Sequence, residues 1–506
     1  MVNGSLNELN DLRDWLEMVR RSGEVIDVEG ADWNLEIGAI SQLNYRRANP
    51  SALLFDGIKG YAQGHRVLTG TLSNANRLGI TLRLGLGLDD RELVERLRGC
   101  PARWAEQAAK FEPRVVASAP VFENVIEHDI KLGMFPVPFW NELDGGRYIG
   151  TGCMVITRDR DTGVVNGGAY RMQLQDDGRT ATVNTIRGKH GDQHIQSWFA
   201  HGEKAPITVS LGHDPLLLVL AGTEVPTGTS ELAYAGAIIG RPLDVVMSEI
   251  TGLPIPASSE IVIEGWLSPD NLRAEGPFGE WTGYYSASEG PIPALKVARV
   301  LYRKNPILLG SPPGKPPHDY SYMRTVMKSA MIHDALIDTG LPGIKGVWAH
   351  EAGGGRMFIA VAIEQRYFGH SSQVGHIAAQ HPAAAYMNKF VVVVDADVVN
   401  PRDIDDVVWA MCNCCDPTQD LEILSKTWGS RADPLLVDST KPYNSRVVIN
   451  ACRPFERIDT FPTVAQPSPE LLAKTARDWG HLFREGAAAF PGGEEGGRVV
   501  SPVVMG

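Results

Sequence analysis

EIVIEGWLS, residues 260–268, is a β-rich run, and its neighbours repeat the pattern. Working outward, TGCMVITRD (151–159), GGAYRMQLQ (167–175), TATVNTIRG (180–188), ITVSLG (207–212) and ALKVARVLYR (294–303) are further β-rich runs. Gly, Pro, Asp and Asn separate them, so residues from about 115 to 310 are expected to form a barrel or sandwich.

The flanks read differently. Leu9, Leu12, Leu16 and Val19 fall at helical spacing within residues 6–22, and Gly23 closes an amphipathic opening helix. EVIDVEG, ALLFDGI and HRVLTGTL then suggest a small α/β region reaching to residue 112, with PRVVASAP as a linker. Beyond residue 320, YMRTVMKSAMIHDALIDTG reads as a helix and FIAVAIE as a strand. Another helix near 371–388 and the strand KFVVVVDAD complete a second α/β domain. In SPELLAKTARDWGHLFREG, Leu472, Ala476, Trp479 and Phe483 share one helical face, which is expected to pack on a neighbour. The fold class expected is α+β and multidomain, divided at 1–112, 113–310, 311–465 and 466–506.

A chain of 506 residues exceeds what one core serves, so a cleft between domains is expected. The formal net charge of -12 argues against nucleic acid and anionic membranes, and an anionic substrate needs local positive charge. No stretch has the length of a spanning helix and the start lacks a signal-peptide core, so a cytoplasmic location is expected. Six cysteines, three of them clustered at Cys412, Cys414 and Cys415, do not make a disulfide framework.

No GxSxG elbow, Walker A loop, HExxH or GxGxxG after a strand is present. The CxxC spacing at Cys412 and Cys415 has no second ligand pair, and GGGR at 353–356 suits a tight turn as well as a phosphate cradle. Glu275-Gly-Pro-Phe-Gly-Glu280 is more specific, because two carboxylates bracket a turn that can direct both toward one cleft. Its bland reading is a solvated acidic turn. In the same β-rich block, Asn166 and Arg171 lie a few residues apart, followed by His190 and Glu231. Asn, His and Glu together suit a hard divalent ion such as manganese or magnesium.

NGGAYRMQ (166–173), GKHG (188–191), SELAYAGAI (230–238), PASSEIVIEG (256–265) and EGPFGEWTGYY (275–285), in that order, resemble the UbiD family of reversible decarboxylases. NLEIGAIS (34–41), FPVPFWNELDGGRYIGTG (135–152) and DIDDVVWAM (403–411) extend the resemblance over nearly the whole chain. It implies a small N-terminal α/β region, a central split β-barrel binding prenylated flavin mononucleotide, and a C-terminal α/β oligomerisation domain. It further implies that Asn166, His190 and Glu231 ligate Mn2+ or Mg2+, with K+ beside it, to anchor the flavin phosphate. Arg171, Glu275 and Glu280 match the catalytic ionic network, and Ala169, Tyr170 and Met172 would line the flavin. His194 competes with His190 for the metal role, since KHGDQH aligns either way.

The implied reaction is decarboxylation of an aromatic or heteroaromatic acid of phenolic, furoic, pyrrole or indole type through a covalent adduct with the prenylated flavin, Glu280 delivering the proton. Burial would raise the Glu280 pKa while Arg171 holds Glu275 ionised. The partners implied are the acid, CO2, a flavin prenyltransferase as cofactor supplier, and copies of the chain in a dimer or hexamer. SPPGKPPHDYSYM (311–323) resembles the phenolic and heteroaromatic branches, where a histidine in the place of His318 meets the substrate. Trp281, Tyr284 and Tyr285 offer stacking surface or core filling. Where some relatives place a phosphate-binding lysine this chain has PAAAY (382–386), with Lys389 as a possible substitute. Decarboxylation of acrylic acids, a non-catalytic flavin-binding protein and a flavin reductase are the alternatives; the last lacks a nicotinamide site.

Overall fold

The computed structural model describes residues 6–483, apart from 224, 226, 227, 287–289 and 437–439. The chain divides into two compact units, Met1–Cys452 and Arg453–Gly506.

The first unit holds three principal sheets. The opening helix runs Leu12–Arg21, starting later than the periodicity suggests because Asp11 caps it, its side chain accepting from Asp14 N–H. Leu12, Trp15 and Val19 are fully buried beneath it. Strands Val25–Glu29, Ala52–Asp56 and Arg66–Thr69 follow in one sheet. Its fourth strand, Ile307–Leu309, comes from the end of the β-rich block and pairs parallel to Arg66–Thr69. PRVVASAP is not a bare linker, since Arg114 and Val115 pair parallel to Asp244 and Val245.

The β-rich block forms one large antiparallel sheet. Its strand order is Ala181–Thr182, Ile292–Tyr302, Ile261–Leu267, Ala205–Leu211, Cys153–Arg158, Val165–Gly168. Ile261–Leu267 is buried on both faces, as is Ala205–Leu211, which explains why the two read as apolar runs rather than alternating ones. Glu264 is buried within this sheet because Arg299 sits opposite it in register and donates from Nε at 2.7 Å. Residues 190–199 and 231–239 are helices inserted between strands, and they carry His190 and Glu231 at their first positions.

The third sheet has the order Ile344–Ala349, Phe358–Ile363, Phe390–Asp395, Tyr443–Ala451, Leu421–Trp428. Its inner pairs are parallel and its outer pairs antiparallel. Helices Asp319–Asp338 and His370–Gln380 cover one face and Ile404–Cys414 the other, leaving Val391 to Val394 fully buried. No described helix is long and apolar enough to cross a membrane. In the second unit, Pro469–Trp479 is a helix capped by Ser468, with Leu472 and Trp479 exposed. The Phe483 side chain lies outside the described residues.

Candidate active site

The acidic hexapeptide is not a solvated turn. Gly276 adopts φ 79°, a conformation that glycine takes without a steric penalty, and Phe278–Gly279 pairs back on Tyr285–Ser286. Gly145 abuts this bend so closely that a Cβ there would lie 2.1 Å from Gly276 O, and its N–H donates to Pro277 O at 2.6 Å. Gln173 stitches the same junction, accepting from Gly276 N–H at 2.9 Å and donating to Gly145 O at 2.7 Å. Both carboxylates are thereby turned onto Arg171.

Arg171 donates from Nε and Nη2 to Glu275 at 2.8 and 2.9 Å, and from Nη1 to Glu280 at 2.7 Å. Tyr148 Oη and Asn184 Nδ2 each add a bond to Glu275 at 2.9 Å. Four donor atoms thus converge on Glu275, whose side chain is 1% exposed, while Glu280 keeps 24%. Burial pushes the Glu280 carboxyl above the usual range, against the downward pull of the Arg171 and Arg324 charges. For Arg171, burial opposes the charge, but Glu275 and Glu280 outweigh it and raise its pKa. Two carboxyl groups sharing one guanidinium therefore occupy unlike environments, as an acid and an anchor require.

A second group gathers around Tyr170. Its hydroxyl accepts from Asn166 Nδ2 at 3.3 Å and from Gly191 N–H at 3.0 Å, drawing the start of helix 190–199 toward the Asn166 strand. Glu231 accepts from Gly167 N–H at 2.8 Å, so Asn166, His190 and Glu231 are each tied to this cluster directly or through an adjacent residue. Burial pushes Glu231 up to about 7, and no basic side chain among the described residues pairs with it. No cluster of three or more His, Cys, Asp or Glu among the described residues is placed to hold a metal, so such a set would need the Asn166 amide. His194 is buried, bonds Thr157 Oγ1 through Nδ1 at 3.1 Å and has its pKa lowered by burial, whereas His190 is exposed. Tyr170 and Met172 turn their side chains into the core, and Ala169 is partly buried.

His318 caps helix Asp319–Asp338 and is fully buried, its Nδ1 accepting from Ser321 N–H at 3.3 Å. GGGR is a tight turn: Gly354 and Gly355 have φ 64° and 69°, and a Cβ on them would strike the Trp281 ring at 2.7 Å and Thr325 N at 2.6 Å. Lys389 is engaged by Asp433 at 2.8 Å. Tyr284 and Tyr285 are exposed, and Trp281 lies under Arg324, whose Cζ is 5.2 Å from its ring centroid. Sequence reading missed Arg324, Tyr148, Asn184 and Asp144. Asp144 accepts from Gly279 N–H at 3.2 Å and Asn141 N–H at 3.0 Å, and burial pushes it up to about 6.

Three domains described for 3-octaprenyl-4-hydroxybenzoate carboxy-lyase match the chain in order: the N-terminal domain at residues 16–99, the Rift-related domain at 114–316 and the C-terminal domain at 321–451. The chain belongs to the UbiD family of carboxy-lyases. Among particular relatives, it is 32% identical over 462 residues to a pyrrole-2-carboxylic acid decarboxylase of Pseudomonas aeruginosa, covering 88% of this chain and 91% of that protein. The UbiD-class enzyme HmfF of Pelotomaculum thermopropionicum, solved with FMN, superimposes with a TM-score of 0.78 at 26% identity, covering 90% of this chain and 97% of that one. Vanillic acid decarboxylase of Sedimentibacter hydroxybenzoicus in its open form also gives 0.78, at 28% identity, covering 94% and 98%.

Proposed function

We propose that this chain catalyses the reversible, non-oxidative decarboxylation of an aromatic or heteroaromatic acid, with prenylated FMN as cofactor and Glu280 as proton donor. The observation that carries the reading is the single guanidinium of Arg171 bonded to both Glu275 and Glu280. Prenylated FMN, when bound, supplies the electron sink that a ring carbanion requires and no ordinary side chain provides. Glu280, kept protonated into a higher pH range by burial, gives its proton to the carbon that CO2 vacates and recovers it in the reverse direction. Glu275 anchors Arg171, and Phe278 packed on Tyr148 at 3.9 Å between ring centroids closes the space behind them.

Asn166, His190 and Glu231 would hold Mn2+ or Mg2+, with K+ beside it, against the cofactor phosphate. A buried carboxylate lacking a basic partner supports a cation there. His190 takes the imidazole role because His194 is spent on Thr157. Ala169, Tyr170, Arg171 and Met172 present their backbone along the flavin, and His318 orients the substrate. We read the central sheet as an incompletely closed barrel within 113–310, between an α/β region at 1–112 and a C-terminal α/β domain at 311–465, with the helix and tail at 466–506. The chain works as a homo-oligomer, dimer or hexamer, in the cytoplasm, supplied by a flavin prenyltransferase. Expression with and without that enzyme, in manganese and potassium, followed by mass measurement of the bound cofactor, tests the reading. Prenylated flavin together with CO2 release from pyrrole-2-carboxylate supports it; no flavin of any kind overturns it.

A further inference from the structure

The mechanism leaves one titratable group beside His318 unused. Glu351 opens the short helix Glu351–Gly353, and its Oε1 lies 2.7 Å from Ser321 Oγ. Ser321 is fully buried and is bound to His318 in both directions. Its N–H donates to His318 Nδ1 at 3.3 Å, and its Oγ accepts from His318 N–H at 2.7 Å. The same Oγ lies 2.7 Å from His318 O. Whatever sets the Ser321 hydroxyl therefore sets the ring and backbone of His318.

A hydroxyl has one proton and two lone pairs. His318 N–H fills one lone pair of Ser321, and the proton can serve either His318 O or Glu351. Two oxygens at 2.7 Å with no hydrogen between them repel, so an ionised Glu351 would leave one of the two contacts unmet. One arrangement satisfies all three contacts: Ser321 donates to His318 O and accepts from His318 N–H and from a protonated Glu351.

The surrounding charges agree with that count. Burial pushes the Glu351 carboxyl up to about 7, and the charges of Asp90 and Asp319 push the same way against the Ser321 hydrogen bond. Asp90 has the hydroxyl of Tyr322 at 2.5 Å. Burial raises Asp319 too, but Tyr45 Oη, Gly70 N–H and Leu72 N–H donate to it at 3.0, 3.1 and 2.9 Å, and the Arg77 charge favours its anion. Glu351 has the Ser321 hydroxyl and no basic partner among the described residues. Of the three acids it is the one with the least to hold an anion.

We propose that Glu351 is a positioning residue, held as the neutral acid, which donates to Ser321 Oγ, fixes the His318 ring and keeps negative charge away from the anionic substrate. This rests on the decarboxylase reading and on His318 as the substrate-orienting residue. Ionisation of Glu351 pulls the Ser321 proton off His318 O and sets a new anion beside the bound acid. Glu280 titrates on its own account, and the Gln variant of Glu351 separates the two.

Holoenzyme is titrated calorimetrically with pyrrole-2-carboxylate on either side of about pH 7, with infrared difference spectra recorded between wild type and Glu351→Gln. The wild type is expected to lose about fivefold or more in affinity as pH rises through that value. Glu351→Gln, an uncharged isostere with an N–H donor for Ser321, is expected to keep the low-pH affinity across that range. Glu351→Ala is expected to bind weakly at every pH. Below that pH the difference spectrum should contain a protonated-carboxyl band from Glu351. A Glu351→Gln variant with the wild-type pH dependence overturns the inference even if Glu351→Ala fails to fold. So does a spectrum showing only carboxylate, or a folded Glu351→Ala with wild-type affinity. Absence of prenylated flavin from the wild type, or of CO2 release from every acid offered, instead removes the decarboxylase reading and the substrate part of this inference with it, and the infrared band then decides the Glu351 proton by itself.

Discussion

Arg171 and Glu275 lie 104 residues apart and are joined by two parallel hydrogen bonds of 2.8 and 2.9 Å. Such a fork fixes the guanidinium plane, and that plane sets where the third bond, to Glu280, can point.

Arg171→Ala leaves Glu275 buried without its counter-charge, and breaking a buried pair from one side costs about 3–5 kcal/mol. Urea denaturation is expected to show a loss of that size, against about 1 kcal/mol for Tyr148→Phe, which removes one neutral donor. Equal, small losses for both would mean that the guanidinium is not the keystone of the cluster.

Glu280 must be protonated to act as an acid, and burial raises its pKa. The turnover rate in the decarboxylation direction is therefore expected to hold through the usual carboxylate range and fall as pH rises past the raised value. Glu280→Gln should lose that limb and about 10²–10⁴-fold in kcat, at unchanged flavin content. A variant rate that keeps the wild-type pH profile assigns the proton to another group.

Asp144 holds Gly279, the residue before Glu280, and its pKa is pushed up to about 6. Because the folded value exceeds the unfolded one, its contribution to stability is complete below the unfolded pKa and lost as pH rises through about 6. On the order of 2–3 kcal/mol should disappear between about pH 4 and 6, and Asp144→Asn should flatten that part of the stability profile. An unchanged slope in the variant would place the titration elsewhere.

Gly145→Ala inserts a methyl group where a Cβ meets Gly276 O at 2.1 Å. The backbone carrying Glu275 must give way, at a cost of about 1–3 kcal/mol. Thermal unfolding is expected at a lower temperature, with kcat reduced more than substrate affinity, because the acid loop rather than the entry moves. Wild-type kcat in a destabilised variant would uncouple Gly145 from the loop's function.

Glu275 and Glu280 were legible because two acids around Gly and Pro form a local pattern, and the family motifs run along the chain. Asp144 was not, since nothing in FPVPFWNELDGGRYIGTG distinguishes the acid that becomes buried under Gly279 from its exposed neighbour Glu142. His190 and His194 sit one helical turn apart, and only the pairing of Thr157 opposite Asn166 shows why His194 belongs to the core. Ile307–Leu309 completes the first sheet with three residues, too short a run to declare its partner more than 200 residues upstream. Arg324 lies on a helix whose periodicity reads as ordinary packing, and its place over the Trp281 ring is a property of three-dimensional neighbours alone.

The most direct measurement follows pyrrole-2-carboxylate with the prenylated-flavin holoenzyme in deuterated water. CO2 release with one deuterium at the vacated carbon, abolished in Glu280→Gln that still carries the cofactor, is the predicted result. CO2 release that survives both Glu280→Gln and Arg171→Ala, or none from any aromatic or heteroaromatic acid by the loaded wild type, would contradict it.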